Sequence, residues 1–156
     1  MIRGEFRITD DHYKSTADLI RYLVRAAGMN ANFLLNVGPM PSGEIQPEFV
    51  QRLTEVGKWT KQFGESIYGT RGGPVMAGPW GVTTQRGSTV YVHVLDWNAP
   101  VLALPSLPRP IRWARLLRDG SSVEFSAVMG AVVLKLPDSQ PDEVDRVLVL
   151  ELEGAK

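Results

Sequence analysis

Two stretches before residue 72 repeat apolar residues with a helical period. The first, residues 16–27, has apolar positions at i, i+1, i+4, i+5 and i+8: Leu19, Ile20, Leu23, Val24 and Ala27. This spacing predicts a helix, with Ser15 as its N-cap and Gly28 as the glycine that ends it. The second stripe predicts a helix from Pro47 to Gly64. Its members are Phe49, Leu53, Val56, Thr60 and Phe63.

A largely apolar run, Asn32–Pro39, lies between the two predicted helices. Clusters of Gly, Pro and Asn flank it, which is typical of a strand that is buried on both faces, as in parallel sheets covered by helices. Because one strand cannot form a sheet, helix–strand–helix order predicts a fragment of a larger α/β fold. The alternative is that this strand joins the sheet of the second half of the chain.

From Gly72 onward the pattern predicts short strands separated by turns. Residues 89–97 alternate, with Val90, Val92 and Val94 on one face, and Asp119-Gly120 is a hairpin signal. Further extended segments are predicted at residues 75–80, 82–84, 101–104, 111–117, 122–125, 131–136 and 146–152. This spacing predicts an antiparallel β-sandwich, so the fold class is an α+β composite. Arg71-Gly72-Gly73 is interpreted as a linker.

Charge and cysteine content exclude several functions. Lys+Arg and Asp+Glu both number 17, which argues against nucleic-acid binding and polybasic membrane attachment. No apolar run approaches the roughly 18 residues of a membrane span, and residues 1–5 show no signal peptide. With no cysteine, disulfides and thiolate chemistry are excluded, and a cytoplasmic location is slightly favoured.

The polar residue types that usually carry chemistry are few. We favour a structural role for His93, because no nucleophile or carboxylate accompanies it at an informative spacing. His12 follows Asp10 and Asp11, which could bind a metal, but a solvated loop before the helix is favoured because no second ligand cluster exists. We therefore expect no metal site and no cofactor. The glycine-rich residues 38–43 lack the lysine of a phosphate-binding loop.

Four tryptophans could stack on sugar rings, although packing in a core or between domains is the favoured interpretation. They are Trp59, Trp80, Trp97 and Trp113.

One set of motifs is more specific than any of these residues. Its members are Asp10–Ser15, Asn32–Pro39, Pro41–Ile45, Val56–Trp59 and Gly64–Arg71. In order and spacing, residues 10–71 resemble α-L-fucosidases of glycoside hydrolase family 29. That family has a (β/α)₈-like catalytic barrel followed by a β-sandwich. The resemblance implies that residues 1–71 are an incomplete C-terminal part of the barrel and that residues 72–156 are the C-terminal β-sandwich.

The resemblance also implies an activity, retaining hydrolysis of terminal α-L-fucosides. That mechanism uses an aspartate nucleophile and a second carboxyl group as acid/base, about 5–5.5 Å apart. In the family both lie upstream of the matched segment, so we expect this chain to lack them. Glu5 is the only carboxylate near the place of the family's Trp-Gly-Tyr motif, and we do not assign it the acid/base role.

Barrel active sites lie at the C-terminal ends of the strands. By resemblance, Asn36, Gly38 and Pro39 would therefore border the fucose pocket of a complete barrel. For Asn36 the alternative is that it only hydrogen-bonds a neighbouring loop.

Three hypotheses follow for the function of the chain. It is the C-terminal part of an α-L-fucosidase, inactive on its own; or copies assemble and share carboxylates such as Glu5, Asp10, Asp11 or Glu44; or it is a non-catalytic β-sandwich that binds fucosylated glycans through exposed tryptophans. Because an incomplete barrel exposes apolar strand edges, we expect a homo-oligomer or pairing with a missing N-terminal half.

Overall fold

Two helices lie against one face of an antiparallel β-sandwich in the computed structural model, which describes residues 13–96, 99–138 and 143–154. Helix α1 spans Thr16–Gly28, and helix α2 spans Pro47–Phe63 and continues into a 3₁₀ turn at Gly64–Ser66. The strands are β1 (Arg71–Gly72), β2 (Gly81–Arg86), β3 (Thr89–Val94), β4 (Val101–Pro105), β5 (Ile111–Leu116), β6 (Phe125–Val128), β7 (Ala131–Lys135) and β8 (Arg146–Leu152).

The strands form two sheets in which every neighbouring pair is antiparallel. The first sheet has the order β1-β2-β3-β8-β5 and the second has the order β4-β7-β6. The main core fills the space between them and includes Val90, Val92, Leu102, Leu104, Leu134, Leu148 and Leu150. A second core, built around Ile20, Val24, Trp59, Val82 and Leu95, joins the helices to the outer face of the first sheet. The predicted sandwich is thus confirmed.

Helix α1 begins and ends close to the predicted residues. The hydroxyl of Ser15 accepts a hydrogen bond from the backbone N–H of Asp18 at 3.1 Å, as an N-cap does. Gly28 is the last helical residue, but the left-handed conformation after the helix falls to Asn30, with φ 55°. A Cβ on Gly28 would lie 2.6 Å from Val82 Cβ. The glycine is therefore required by close packing on β2 rather than by its backbone conformation.

Helix α2 has a narrower buried face than its apolar stripe predicts. Trp59 is its buried residue, and Val56 and Phe63 pack half-buried beside it. Leu53, in the same predicted stripe, is 41% exposed. In the N-terminal half of this helix, Phe49 is half-buried while Val50 is 49% exposed.

The segment Asn32–Pro39 differs most from its prediction, because it contains no strand and is not buried on both faces. Leu34 is 80% exposed, and the only bridge is between Pro39 and Ile45, across the turn that follows. A strand needs a hydrogen-bonded neighbour, and none of the described strands pairs with this segment. The alternative, that it joins the sheet of the second half, is wrong.

Three other segments differ from the predictions. Arg71–Gly72, interpreted as a linker, forms the edge strand β1 and pairs with Thr84 and Gln85. Residues 75–80 form no strand. The strand predicted at residues 122–125 starts only at Phe125, because β6 pairs with β7 in the other sheet; Ser122 keeps a single bridge to β5.

Candidate functional site

A shallow cleft lies between the start of α1, the segment before Gly38 and the first turns of α2. Its described lining residues are Tyr13, Lys14, Leu19, Leu35, Asn36, Val37, Phe49, Arg52 and Leu53. Asn36 is exposed at this cleft and forms no hydrogen bond with the described residues. The described residues therefore show no hydrogen bond that would support the alternative, in which Asn36 only bonds a neighbouring loop.

The aromatic wall of the cleft is held by two contacts across the helices. Tyr13 and Phe49 meet edge to face, with ring centroids 5.3 Å apart and planes at 81°. The amide of Gln46 donates a hydrogen bond to the Tyr13 hydroxyl at 3.1 Å. Together they fix the Tyr13 ring on the first turn of α2.

The charged groups near the cleft are engaged in joining α1 to α2. The Arg52 guanidinium donates to the backbone carbonyl of Lys14 at 3.2 Å and lies 3.3 Å from Glu55. Glu55 also accepts hydrogen bonds from the Thr16 hydroxyl and from the Gln51 amide. The Thr16 bond first, and then the Gln51 bond, hold the pKa of the Glu55 carboxyl below its usual range. Neither charge is therefore available as a free acid or base.

No described residue that lines the cleft is Asp or Glu, so those residues provide no acid/base pair. Glu44 is exposed on the neighbouring turn, where the Ser42 hydroxyl donates to it at 3.2 Å. The other carboxylate candidates, Glu5, Asp10 and Asp11, lie outside the described residues, as does His12. Roles for Glu5 and Asn36 therefore stay predictions.

The described tryptophans pack inside the molecule or along its edges. Trp59 is 8% exposed and its ring centroid is 5.6 Å from that of Phe63. Trp80 packs against the core between the sheets, and Trp113 is half-buried, with the Arg115 guanidinium 4.8 Å from its ring centroid. Trp97 lies outside the described residues.

His93 is fully buried and belongs to a chain of hydrogen bonds. Its Nδ1 lies 2.7 Å from Asp145 Oδ2, and its Nε2 lies 3.3 Å from the hydroxyl oxygen of Thr84. That hydroxyl donates to the backbone carbonyl of Ser66 at 2.6 Å. The sequence analysis missed Asp145 because 52 residues separate it from His93. The available signal was an aspartate directly before a strand rich in apolar residues.

Residues 13–96, 99–138 and 143–154 contain no helix with both the length and the apolar character needed to cross a bilayer. They also contain no group of three or more His, Cys, Asp or Glu side chains placed to hold a metal ion.

The chain is similar in sequence to known α-L-fucosidases. The family model described as alpha-L-fucosidase matches residues 4–65. The chain is 30% identical over 151 residues to the α-L-fucosidase of Branchiostoma floridae, covering 91% of this chain and 32% of that protein. It is 35% identical over 105 residues to the human tissue α-L-fucosidase, covering 61% of this chain and 21% of that protein.

Solved structures show the same similarity. The α-L-fucosidase isoenzyme 1 from Paenibacillus thiaminolyticus superimposes with a TM-score of 0.87 at 34% identity, over 97% of this chain and 38% of that one. The Vibrio sp. strain EJY3 α-L-fucosidase gives a TM-score of 0.85 at 30% identity, over 94% of this chain and 27% of that one. The chain thus spans between about a fifth and two fifths of the length of these relatives.

The helix pair and the antiparallel sandwich are matched along almost the whole chain by solved structures of α-L-fucosidases, which are glycoside hydrolases. The chain belongs to the α-L-fucosidase family, glycoside hydrolase family 29, and corresponds to a C-terminal portion of its members. The fold is accordingly α+β, with a helical remnant of a (β/α)₈-like barrel followed by a β-sandwich. The remnant lacks the strand pairing of a barrel because the described residues provide no neighbouring barrel strand.

Proposed function

We propose that this chain supplies the C-terminal part of a retaining α-L-fucosidase, with the helices completing a catalytic barrel and the sandwich bracing it. The observation that carries the proposal is the similarity to α-L-fucosidases over more than nine tenths of the chain. The substrate class is a fucosylated glycan or another terminal α-L-fucoside.

The chain on its own is expected to be inactive. Retaining hydrolysis needs two carboxyl groups about 5–5.5 Å apart on either side of the glycosidic bond. The described lining of the cleft at Asn36 contains neither Asp nor Glu. In the proposed complete enzyme, the nucleophile and the acid/base come from the part of the barrel that precedes the matched segment.

Complementation tests this proposal. The chain would be assayed with 4-nitrophenyl α-L-fucoside alone, and then together with the N-terminal portion of the similar Paenibacillus thiaminolyticus enzyme, which is also assayed alone as a control. We expect no turnover with the chain alone and measurable turnover when both parts are mixed.

The matched variant for complementation is Leu34→Lys in the same mixture. It places a charge on an exposed apolar residue of the segment between α1 and α2. It should reduce the recovered activity. Turnover by the wild-type chain alone that is lost in Glu44→Gln would instead favour a site shared between copies, and would contradict the proposal.

The expected partner is a second copy of the chain or the missing N-terminal half. Apolar side chains on the helical part are exposed, among them Leu34 and Val50 at 80% and 49%. An apolar surface of this kind usually lies at an interface. The mass of the chain in solution, with and without the N-terminal portion, distinguishes the two partners.

The glycan-binding alternative requires sugar-stacking tryptophans on the sandwich. Of the two described there, Trp113 is half-buried and already carries Arg115 on its ring. Titration with fucose should give no dissociation constant that depends on Trp113. Saturable binding that Trp113→Ala abolishes would favour a non-catalytic binding module.

A further inference from the structure

The hydrogen-bond chain at His93 joins four separate segments across the junction of helices and sandwich. Ser66 belongs to the 3₁₀ turn after α2, Thr84 to β2 and His93 to β3, while Asp145 directly precedes β8. The exposed fractions are 0% for Ser66, Thr84 and His93 and 2% for Asp145. Because water does not reach these groups, each polar contact must be satisfied by the protein's own hydrogens.

The hydrogens in this chain can be counted from the geometry. A carbonyl oxygen only accepts, so the 2.6 Å contact from Thr84 Oγ1 to the Ser66 carbonyl uses the single hydroxyl hydrogen of Thr84. At the 3.3 Å contact, Thr84 Oγ1 must then accept, and Nε2 of His93 carries the hydrogen. The 2.7 Å contact between His93 Nδ1 and Asp145 Oδ2 needs one more hydrogen. His93 and Asp145 therefore hold two hydrogens between them.

Two arrangements satisfy this count: an imidazolium facing a carboxylate, or a neutral ring accepting from a carboxylic acid. A neutral ring with its hydrogen on Nε2, beside an ionised Asp145, would point the Nδ1 lone pair at a buried negative charge. Asp145 Oδ1 is buried and has no hydrogen-bond partner among the described residues, so an ionised carboxylate there would be costly. Burial thus favours the arrangements that keep the extra proton.

Two charged groups at this junction are engaged elsewhere. Arg86 donates to the Tyr91 hydroxyl at 3.2 Å, and Arg146 donates to Glu143 at 3.1 Å. Burial raises the pKa of Tyr91, with the nearby Glu65 charge adding to the shift. The groups on the surrounding elements are Arg21 on α1, Glu65 in the 3₁₀ turn, Arg86 on β2, Tyr91 on β3, and Glu143 and Arg146 at the start of β8. None of them forms a hydrogen bond with His93 or Asp145.

We propose that His93 and Asp145 form a buried proton-binding site that fastens the end of α2 to the sandwich. In the unfolded chain an exposed histidine loses its proton near pH 6.5. If the folded chain keeps both hydrogens that the contacts require, it then holds one hydrogen that the unfolded chain has lost. Folding then takes up a proton, and stability falls as the pH rises. This site is independent of the proposed fucosidase function.

The test compares the wild type with Asp145→Asn, an isosteric change in which the new amide can donate to Nδ1. The variant needs no extra proton. Urea unfolding between pH 6.5 and 8.5, followed by tryptophan fluorescence, gives the folding equilibrium constant of each protein. The ratio of wild-type to variant constants should fall up to about tenfold per pH unit. A ratio that does not change with pH would overturn the proposal.

Two further measurements keep the test valid if Asp145→Asn does not fold. In a His12→Gln background the ¹⁵N spectrum reports only the His93 ring, and at pH 8 Nε2 should carry a proton. An unprotonated Nε2 would mean that Nδ1–H simply donates to the carboxylate, and would contradict the proposal. Thr84→Ser keeps the hydroxyl and should retain the wild-type pH dependence, whereas Thr84→Val should not.

Discussion

At the scale of single residues, Gly28 decides how closely α1 can approach the sheet. A Cβ placed on it would lie 2.6 Å from Val82 Cγ2 and 3.2 Å from the Thr83 carbonyl oxygen. Gly57, in the middle of α2, is the opposite case, since nothing lies within 4 Å of an added Cβ. The two glycines share a helical backbone and differ only in their surroundings.

Alanine at each position should therefore have opposite effects on stability. Gly28→Ala should lower the free energy of unfolding by about 1–3 kcal/mol, because the methyl group overpacks against β2. Gly57→Ala should raise it by about 0.5–1 kcal/mol through the better helix propensity of alanine. Urea denaturation of both variants measures the difference. Equal effects at the two positions would show that Val82 can move away from the new methyl group without lowering the free energy of unfolding.

The residue scale is also where sequence reasoning was weakest. Gly28 was assigned for its backbone freedom, although Asn30 provides the left-handed residue. His93 was correctly favoured as structural, but its partner could not be found. A pairing between residues 52 positions apart depends on how β3 and β8 align, and no local pattern encodes that register.

At the scale of elements, the β6–β7 hairpin has an unusual turn. Val128 pairs with Ala131, so Met129 and Gly130 alone make the turn, with φ values of 47° and 81°. Two positive φ values define the tight hairpin turn that prefers Asn-Gly. Methionine is a poor choice there, because its Cβ crowds the backbone in the left-handed region.

Met129→Asn should therefore stabilise the protein by about 0.5–1 kcal/mol, since it restores the preferred turn sequence. The matched control is Met76→Asn, because Met76 is also exposed, at 90%, but does not have a positive φ. The control should change stability by less than about 0.5 kcal/mol. Thermal unfolding of both variants measures this, and a Met129 variant no more stable than its control would refute the expected strain.

The bounds of helices and strands were predicted well where the pattern that indicates them lies within a single segment. Both helices and the alternating strand β3 lie near their predicted positions, because the 3.6- and 2-residue periods are properties of one segment. The Met129-Gly130 turn carries no recognised hairpin signal, so β6 was predicted three residues early. The apolar run at residues 32–39 predicted a buried strand that the structure does not contain, because pairing requires neighbours that the described residues lack.

At the scale of the whole molecule, the sandwich encloses its apolar core between two sheets, whereas the helical part leaves large apolar side chains exposed. The helices contact the first sheet through the core around Trp59, while Leu34, Val50 and Leu53 are exposed. The cleft with Asn36 lies on the same helical part. The overall class of fold was predictable from the change of pattern near residue 72, because each half has its own period.

If the exposed apolar residues Leu34, Val50 and Leu53 form an interface, association of the chain should depend on Leu34. Leu34→Lys places a charge on an apolar residue that is 80% exposed, so it should shift the chain toward monomer without lowering its stability. Met76→Lys, at a residue 90% exposed on the β part, is the control and should leave association unchanged. Sedimentation velocity over a range of protein concentrations measures both. Identical mass distributions for the wild type and Leu34→Lys would exclude this surface as the interface.

The position of β8 governs the order in which the molecule can assemble. This strand lies between β3 and β5, and Thr89 donates a hydrogen bond to Glu151, a residue 62 positions later. Closing so long a loop costs entropy before any contact compensates for it, which slows folding. Until β8 inserts, β3 and β5 both present unpaired edges beside an exposed core. A chain in which β8 has not yet paired would therefore expose two sheet edges of the kind that favour aggregation.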